Sequence, residues 1–239
     1  MTSKYPPFNS PVAAVTFDVG GTLLKPHPSV GAVYAEILAN HGFNADPQRL
    51  NARFAKAWQA AASVGDGRTD DLQEIAKWRR IVRQTLAFID IDSKFDRIFS
   101  DLWETFAEPE RWRLREHARE TITFIRNQGI RTAILSNWDQ RLHSLLAGFN
   151  MSRSFDALFI SSEIGWEKPA PHIFQFVVSQ LDLPPGQILH VGDCPKSDAA
   201  PALAAGFQAL LIADDPESRQ EWVGCIDSLD ALKSLRPPA

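Results

Sequence analysis

The sequence has 239 residues, of which 44% are apolar and 23% are charged, and this composition is typical of a globular protein rather than a disordered or fibrous one. The net charge is only −4 and no basic stripe stands out, so composition gives no reason to expect a nucleic-acid partner. Two cysteines make neither a disulfide framework nor a zinc site. With no apolar run of about 18 residues and no signal peptide, we expect a cytoplasmic protein without a membrane partner.

The first element is an apolar run over residues 11–17, which predicts a buried strand that ends at Asp18. Gly20, Gly21 and Thr22 follow, and glycines directly after an apolar run indicate a loop. In open α/β sheets the carboxyl end of a strand is where ligands bind, so this loop is the first candidate for a functional site.

Helical periodicity then dominates from about residue 27 to residue 110. A stripe begins at Val30, Asp46 and Pro47 are typical of an N-cap and first helical position, and two more stripes cover about 72–86 and 95–106. We predict an all-helical domain over 26–111, inserted into a core domain formed by 1–25 and 112–239. Its tryptophans are interpreted as helix packing, with a substrate pocket as the alternative; they are Trp58, Trp78 and Trp103.

After about residue 115, short apolar runs alternate with helical patterns. Strands are predicted over 132–136, 157–161, 187–191 and 209–213. Strands separated by helices of this length predict βαβ units with right-handed crossovers, and therefore a parallel sheet of about five main strands.

Four of the predicted strand ends carry polar residues. They are Asp18 to Thr22, Ser136 with Asn137, Glu163 with the following Lys168, and Asp193 to Asp198. Because parallel strands all point the same way, these ends converge on one crevice at a single edge of the sheet.

The four segments resemble the motifs of the haloacid dehalogenase-like hydrolase superfamily, in the subfamily with a helical cap after the first motif. The segments are FDVGGTLL, ILSNWD, EKPAPHIF and VGDCPKSD, and the match extends over about 11–213. The resemblance implies an α/β fold, with a Rossmann-like parallel sheet core and an inserted all-helical cap domain. It also implies a hydrolase, and the leading hypothesis is a magnesium-dependent phosphatase for a small phosphorylated metabolite.

In the phosphatases of this family the first motif supplies a nucleophile, and here that residue is Asp18. Its carboxylate would attack phosphorus to give an aspartyl-phosphate, which divides one difficult step into two easier ones. Ser136 would hydrogen-bond a phosphoryl oxygen, and Lys168 would pair with both the nucleophile and the phosphoryl group. Further substrate contacts are expected from Asn137, Gly21 and Thr22. A turn role fits Asn137 equally well, and the Thr22 hydroxyl is expected to hold the first loop.

The resemblance also implies a Mg²⁺ site. Asp193 would bind the ion together with Asp18 and the backbone carbonyl of Gly20, because Mg²⁺ prefers oxygen ligands and takes one or two carboxylates. Asp198 would lie at the edge of this site, as an indirect contact of the metal or as a partner of Lys168. Capping of the following helix explains Asp198 equally well.

The chain departs from the family phosphatases at Gly20, where those enzymes carry a second aspartate that protonates the leaving oxygen. General acid–base catalysis typically contributes about 10²- to 10⁴-fold. Three interpretations follow: a substrate with a good leaving group, a replacement acid from the helical insertion, or a weak or inactive relative that only binds. Haloacid dehalogenases lack this aspartate too, but they act without a metal, and Gly192-Asp193 resembles the metal-binding form of the fourth motif.

Overall fold

The computed structural model describes residues 11–61, 66–214 and 224–238. The strands are β1 (Ala14–Phe17), β2 (Leu24–Pro26), β3 (Trp112–Leu114), β4 (Arg131–Ser136), β5 (Ala157–Ile160), β6 (Ile188–Gly192), β7 (Gln208–Ile212) and β8 (Cys225–Ile226). Six of them form one sheet in the order β5-β4-β1-β6-β7-β8, and every pair is parallel. The predicted α/β fold with a parallel sheet core is confirmed.

The first strand lies in the middle of this sheet. Phe17, its last residue, is in register with Ile134 of β4 on one side and with Val191 of β6 on the other. The chain leaves β1 and its neighbours at the same edge, so the loops after these strands meet there. All four residues of β1 are buried, which explains why the strand is almost entirely apolar rather than alternating, with Thr16 as its one polar residue.

The helices are α1 (Val30–Asn40), α2 (Pro47–Ala61), α3 (Asp71–Leu86), α4 (Phe95–Thr105), α5 (Ala118–Asn127), α6 (Arg141–Gly148), α7 (Ser161–Ile164), α8 (Pro171–Leu181) and α9 (Ala200–Ala204). The predicted start of α2 is confirmed, since the helix begins at Pro47 and the Asp46 carboxylate accepts a hydrogen bond from Arg49 N at 2.7 Å. None of the helices in the described ranges has the length and hydropathy needed to cross a membrane.

Helices α1 to α4 pack around a hydrophobic cluster of their own, separate from the clusters on the two faces of the sheet. Its fully buried members include Val33, Leu50, Leu86 and Ile98. Trp78 and Trp103 pack against this cluster as predicted, whereas Trp58 is 40% exposed and lies beside Trp78, 5.3 Å away between ring centroids. A separate cluster is what an inserted domain over 26–111 requires, although the division into domains stays a prediction.

Two features of the fold differ from what the sequence pattern predicts. Strands β2 and β3 pair as a short antiparallel ribbon, with Leu24 opposite Leu114, at the two points where the chain enters and leaves the helical segment. The alanine-rich stretch 198–205 predicts a helix, but the chain here starts as a π-helical turn at Pro195–Ala199 and continues as α9. The cause lies in Asp198, whose carboxylate accepts from Cys194 N at 2.9 Å, so Asp198 folds back over the turn and does not cap α9.

Candidate active site

The loop after β1 forms a tight turn that presents Asp18 to the crevice. The carbonyl oxygen of Val19 accepts hydrogen bonds from the backbone N–H groups of Thr22, Leu23 and Leu24 at 3.2, 2.9 and 2.8 Å. Asp18 is 8% exposed, and its own N–H donates to Val191 O of the neighbouring strand at 2.9 Å. The carboxylate is therefore fixed at the central strand of the sheet and only its tip reaches the crevice.

Two donors from other strand ends converge on the same oxygen of Asp18. Ser136 Oγ, at the end of β4, donates to Asp18 Oδ1 at 2.9 Å, and Lys168 Nζ donates to it at 2.9 Å. Lys168 is only 3% exposed and its ammonium also binds Asp198 Oδ1 at 2.5 Å. The structure thus brings the predicted nucleophile, hydroxyl and ammonium into direct contact.

Three carboxylates form a cluster at this point. Asp18, Asp193 and Asp198 each place one oxygen within 4.8 Å of the others, with Asp193 on the solvent-exposed side. Against them stands one ammonium, that of Lys168, so the ionised cluster has an excess of two negative charges. A compact group of oxygen donors with this excess is suited to a hard divalent cation such as Mg²⁺.

The surroundings shift the pKa values of the cluster members in different directions. Burial raises the pKa of Asp18 more than Lys168 lowers it, and burial together with repulsion from Asp18 and Asp198 raises the pKa of Asp193. Burial opposes the charge on Asp198 as well, but Lys168 and His190 hold its pKa well below the usual value. Asp18 and Asp198 raise the pKa of Lys168, although burial lowers it. Asp198 is therefore the ionised partner of Lys168, whereas the ionised form of Asp193 is favoured when a cation is added.

A buried histidine, which the sequence pattern did not single out, supports Asp198. His190 Nε2 lies 3.1 Å from Asp198 Oδ1, and His190 Nδ1 lies 2.9 Å from Thr16 Oγ1. Burial lowers the pKa of His190, which favours the neutral ring, and a carboxylate only accepts. We therefore assign the proton to Nε2, which donates to Asp198, while Nδ1 accepts from Thr16.

Three residues predicted to contact substrate are engaged otherwise. The Asn137 amide pairs with the backbone of Lys168, accepting from Lys168 N and donating to Lys168 O, both at 2.7 Å. Gly21 N–H donates to Leu24 O at 2.8 Å, and the Thr22 hydroxyl, fully buried, lies 3.5 Å from Asp18 Oδ2. This geometry supports the loop-holding role of Thr22 and gives Asn137 a positioning role, while direct substrate contacts by these groups stay predictions.

Gly21 is required by its surroundings. Its φ is +80°, and a Cβ at this position would lie 2.1 Å from Asp193 Oδ2. The glycine thus lets the fourth motif approach the first one closely, which is what a shared ligand set needs.

At Gly20, the position of the missing acid, a Cβ would lie 3.3 Å from Cζ3 of Trp138. Trp138 follows Ser136 and Asn137 in the loop after β4, and its ring centroid is 5.2 Å from that of Trp112. The side of the nucleophile loop at position 20 is therefore covered by indole rather than by a carboxylate.

A second residue without a sequence signal is Arg115, which follows β3. Its Nε donates to Thr22 O at 2.8 Å, its guanidinium also binds Gly21 O, and its Nη1 pairs with Asp214 at 2.6 Å. These contacts hold the backbone of the loop that follows Asp18. Only the folded chain shows this role, because 93 residues separate Arg115 from Thr22.

Comparisons with known proteins relate this chain to hydrolases. Residues 12–206 match the family described as haloacid dehalogenase-like hydrolase. Haloacid dehalogenase-like hydrolase domain-containing protein 3 of Homo sapiens is 30% identical over 205 residues, which cover 84% of this chain and 82% of that protein. A phosphoserine phosphatase of Thermus thermophilus is 26% identical over 227 residues, which cover 84% of this chain and 90% of the enzyme.

Among solved structures, the HAD-hydrolase YfnB from Bacillus subtilis, described as bound to magnesium, superposes with a TM-score of 0.79 at 14% identity. The superposition covers 93% of this chain and 97% of that one. Structures described as phosphatases and others described as dehalogenases share the fold. Fold likeness alone therefore does not choose between these two activities.

Proposed function

The chain belongs to the haloacid dehalogenase-like hydrolase family, and from this premise we propose that it is a magnesium-dependent phosphatase acting on a small phosphorylated metabolite. The observation that carries the proposal is the convergence of Asp18, Lys168 and the carboxylates of Asp193 and Asp198 on one point. A metal-free dehalogenase has no need of a third carboxylate facing solvent at that point.

The donor set fits Mg²⁺. Asp18, Asp193 and the carbonyl of Gly20 would hold the ion, with Asp198 behind them through its contact with Lys168. Among the described residues nothing donates a hydrogen bond to the Gly20 carbonyl oxygen, which leaves it free to coordinate. When bound, the ion supplies positive charge that screens the repulsion between a carboxylate and a phosphate dianion.

The residues of the chain have distinct tasks in this proposal. Asp18 attacks phosphorus, forming the P–O bond of an aspartyl-phosphate as the bond to the leaving oxygen breaks. Ser136 and Lys168, both 2.9 Å from Asp18 Oδ1, are within reach of the phosphoryl oxygens that Asp18 would bring beside them. Water then attacks the phosphorus of the aspartyl-phosphate, which breaks the bond to Asp18, releases inorganic phosphate and a proton to solvent, and returns the free carboxylate. Phosphoryl transfer depends mainly on positioning and charge stabilisation, which these groups provide.

The helical segment is proposed to act as a cap that opens and closes over this site. Segment 26–111 is joined to the core, residues 1–25 and 112–239, through the β2–β3 ribbon. The contacts that tie it to the site include Arg141 Nη1, which donates to Trp103 O at 2.8 Å, Glu167 N, which donates to Gly67 O at 2.8 Å, and the ion pair of Lys77 with Glu167 at 2.6 Å. Closure on substrate would exclude water from the reacting groups.

Gly20 favours one alternative from a different class, a protein of this fold that binds a phosphorylated ligand with little or no turnover. The deciding experiment measures hydrolysis of an aryl phosphate after removal of metals with EDTA and after addition of Mg²⁺. We expect turnover only with Mg²⁺ and a loss of at least about 10³-fold in Asp18→Asn. Asp92→Asn, which changes an exposed carboxylate on the helical segment, should retain full activity.

The outcomes separate the candidates. Binding of phosphate without turnover over a broad panel of esters would favour the binding protein, and chloride release from a 2-haloacid without metal would favour a dehalogenase. Thermal unfolding of Asp18→Asn shows whether a loss of activity reflects chemistry rather than folding. The cytoplasmic location and the absence of a nucleic-acid partner stay predictions.

A further inference from the structure

The indole of Trp138 lies where the nucleophile loop lacks its acid. Gly20 has no side chain, and the nearest heavy atom to a Cβ built there is Trp138 Cζ3 at 3.3 Å. The Cβ of an aspartate at position 20 would contact this ring more tightly than an ordinary van der Waals contact, so the ring or the loop would have to give by a few tenths of an ångström. The glycine and the tryptophan, 118 positions apart, therefore fit each other as a pair.

Trp138 is held at its backbone from both sides. Its N–H donates to Ser161 Oγ at 3.0 Å, while its carbonyl accepts from Ser161 Oγ at 3.1 Å and from Ser162 N at 3.2 Å. A loop with three such contacts at one residue cannot shift easily. The backbone that carries the indole is thus held beside position 20.

The residues on either side of Trp138 are fixed as well. Asn137 is paired with the backbone of Lys168, and Asp139, which is 2% exposed, binds the guanidinium of Arg141 at 2.7 and 2.8 Å. Arg141 in turn packs on the ring of Trp103 in the helical segment, with its guanidinium carbon 3.3 Å from the ring centroid. One short loop thereby links the nucleophile, the lysine and the helical segment.

The indole is also the first of a line of aromatic rings that leads from the site into the helical segment. Trp112 lies 5.2 Å from Trp138, Phe106 lies 6.0 Å from Trp112, and Tyr34 lies 6.1 Å from Phe106, all measured between ring centroids. Trp112 is oriented by its Nε1, which donates to Phe106 O at 3.0 Å. Trp138 and Trp112 are only half-buried, so part of each ring remains accessible.

We infer that Trp138 is the specificity-determining residue of this site, and that it restricts the enzyme to phosphate esters whose leaving group departs without protonation and packs on an aromatic wall, such as aryl phosphates. The inference rests on the proposed phosphatase function. An indole beside the nucleophile donates no proton to an alkoxide at neutral pH, whereas a phenolate of low basicity leaves without one. A flat ring stacks on indole and gains contact area that a polar alkyl group does not.

The experiment compares the wild type with Gly20→Asp, Trp138→Ala and the double variant. The esters are para-nitrophenyl, phenyl and benzyl phosphate, in which the ring is kept while the leaving group changes from a weak base to an alkoxide. For the wild type we expect kcat/KM to fall at least about 100-fold along this series, the low end of what a general acid contributes. Trp138→Ala should raise KM for phenyl phosphate several-fold, whereas Trp138→Phe should largely preserve it.

The pair is tested by its non-additivity. Gly20→Asp alone should not narrow the difference in kcat/KM between para-nitrophenyl and benzyl phosphate, because the ring of Trp138 crowds the new side chain at its Cβ. The double variant, which removes this ring, should narrow the difference at least about 10-fold. Phe176→Ala, which removes an aromatic ring 39% exposed on α8, is the control and should change neither quantity.

Two results would overturn the inference. One is that Gly20→Asp alone narrows the difference in kcat/KM between para-nitrophenyl and benzyl phosphate as much as the double variant does. The other is an unchanged KM for phenyl phosphate in Trp138→Ala. A wild type that hydrolyses no phosphate ester at all refutes the proposed function itself and removes the premise of the inference. Cooperative thermal unfolding of each variant, read by circular dichroism, excludes misfolding as the cause of a lost activity.

Discussion

Replacement of Lys168 by methionine tests the charge balance of the site most directly. The change keeps the length of the side chain but removes an ammonium that is 3% exposed and lies 2.9 Å from Asp18 Oδ1 and 2.5 Å from Asp198 Oδ1. Removing one partner of a buried ion pair typically costs about 3–5 kcal/mol, because the other charge stays buried without compensation. We expect a free energy of unfolding lower by about that amount at pH 7 without Mg²⁺.

For a chain of this size, a loss of about 3–5 kcal/mol corresponds to a fall in Tm of roughly 6–20 °C. Urea unfolding with EDTA and with Mg²⁺ measures the effect. Three carboxylates without an ammonium should bind the cation more strongly, so Mg²⁺ should restore a larger part of the stability in Lys168→Met than it adds to the wild type. Activity should stay at least about 100-fold below that of the wild type, because Mg²⁺ does not replace the positioning of the ammonium.

Lys77→Met is the matched control. Lys77 also bridges two carboxylates, Glu74 at 3.0 Å and Glu167 at 2.6 Å, and its side chain is 14% exposed. Its loss should cost stability in the same range, since Glu74 is buried, but Mg²⁺ should add no more than it adds to the wild type. The charge argument would be wrong if the free energy of unfolding of Lys168→Met lay within about 1 kcal/mol of the wild-type value. It would also be wrong if Mg²⁺ stabilised Lys168→Met no more than Lys77→Met.

Two further predictions follow from the same site. Gly21→Ala should weaken Mg²⁺ binding at least about 10-fold in calorimetric titration, because the new Cβ would lie 2.1 Å from Asp193 Oδ2. Gly129→Ala is the control, since Gly129 also has a positive φ, of +78°, but open space around it. It should show only the left-handed backbone strain, about 1–2 kcal/mol, and bind Mg²⁺ normally. The pKa of His190 is lowered by burial, so its contribution to stability is complete above the unfolded pKa of about 6.5 and is lost as pH falls toward the folded pKa, by at most about 1.4 kcal/mol per pH unit. Urea unfolding should therefore show that the free energy of unfolding falls less between pH 7 and pH 5 in His190→Gln than in the wild type. His143→Gln, a change at a half-exposed ring, should follow the wild type. Equal changes in the free energy of unfolding for all three proteins would contradict the assignment.

Local patterns were sufficient for most of the fold. The strand before Asp18 is apolar because it is buried on both faces, and a buried central strand has the same appearance in any parallel sheet. The helix at Pro47 carries its own start signal, and the order of strands and helices after residue 115 predicts the parallel sheet. By contrast, β2, β3 and β8 are two or three residues long, and their pairing partners are set by the surrounding structure rather than by their own sequence.

The candidate site divides in the same way. Asp18, Ser136, Lys168 and Asp193 could be singled out because each stands directly after a predicted strand or in a motif of fixed spacing, and parallel strands bring such positions to one edge. The sequence also showed that position 20 lacks an acid. Chain direction predicts that these positions meet, whereas their roles and the missing acid are what the resemblance to the family motifs implies.

Tertiary structure alone decided what surrounds those groups. The pairing of Asn137 with the backbone of Lys168, the support of Asp198 by His190 and Thr16, and the contact of Trp138 with position 20 each join residues at least 8 positions apart, and most of them far more. Hydrogen bonds and ring contacts of this kind depend on side-chain direction within about an ångström. Periodicity and motif spacing carry no information on that scale, since it arises only when the packed core fixes each backbone and rotamer.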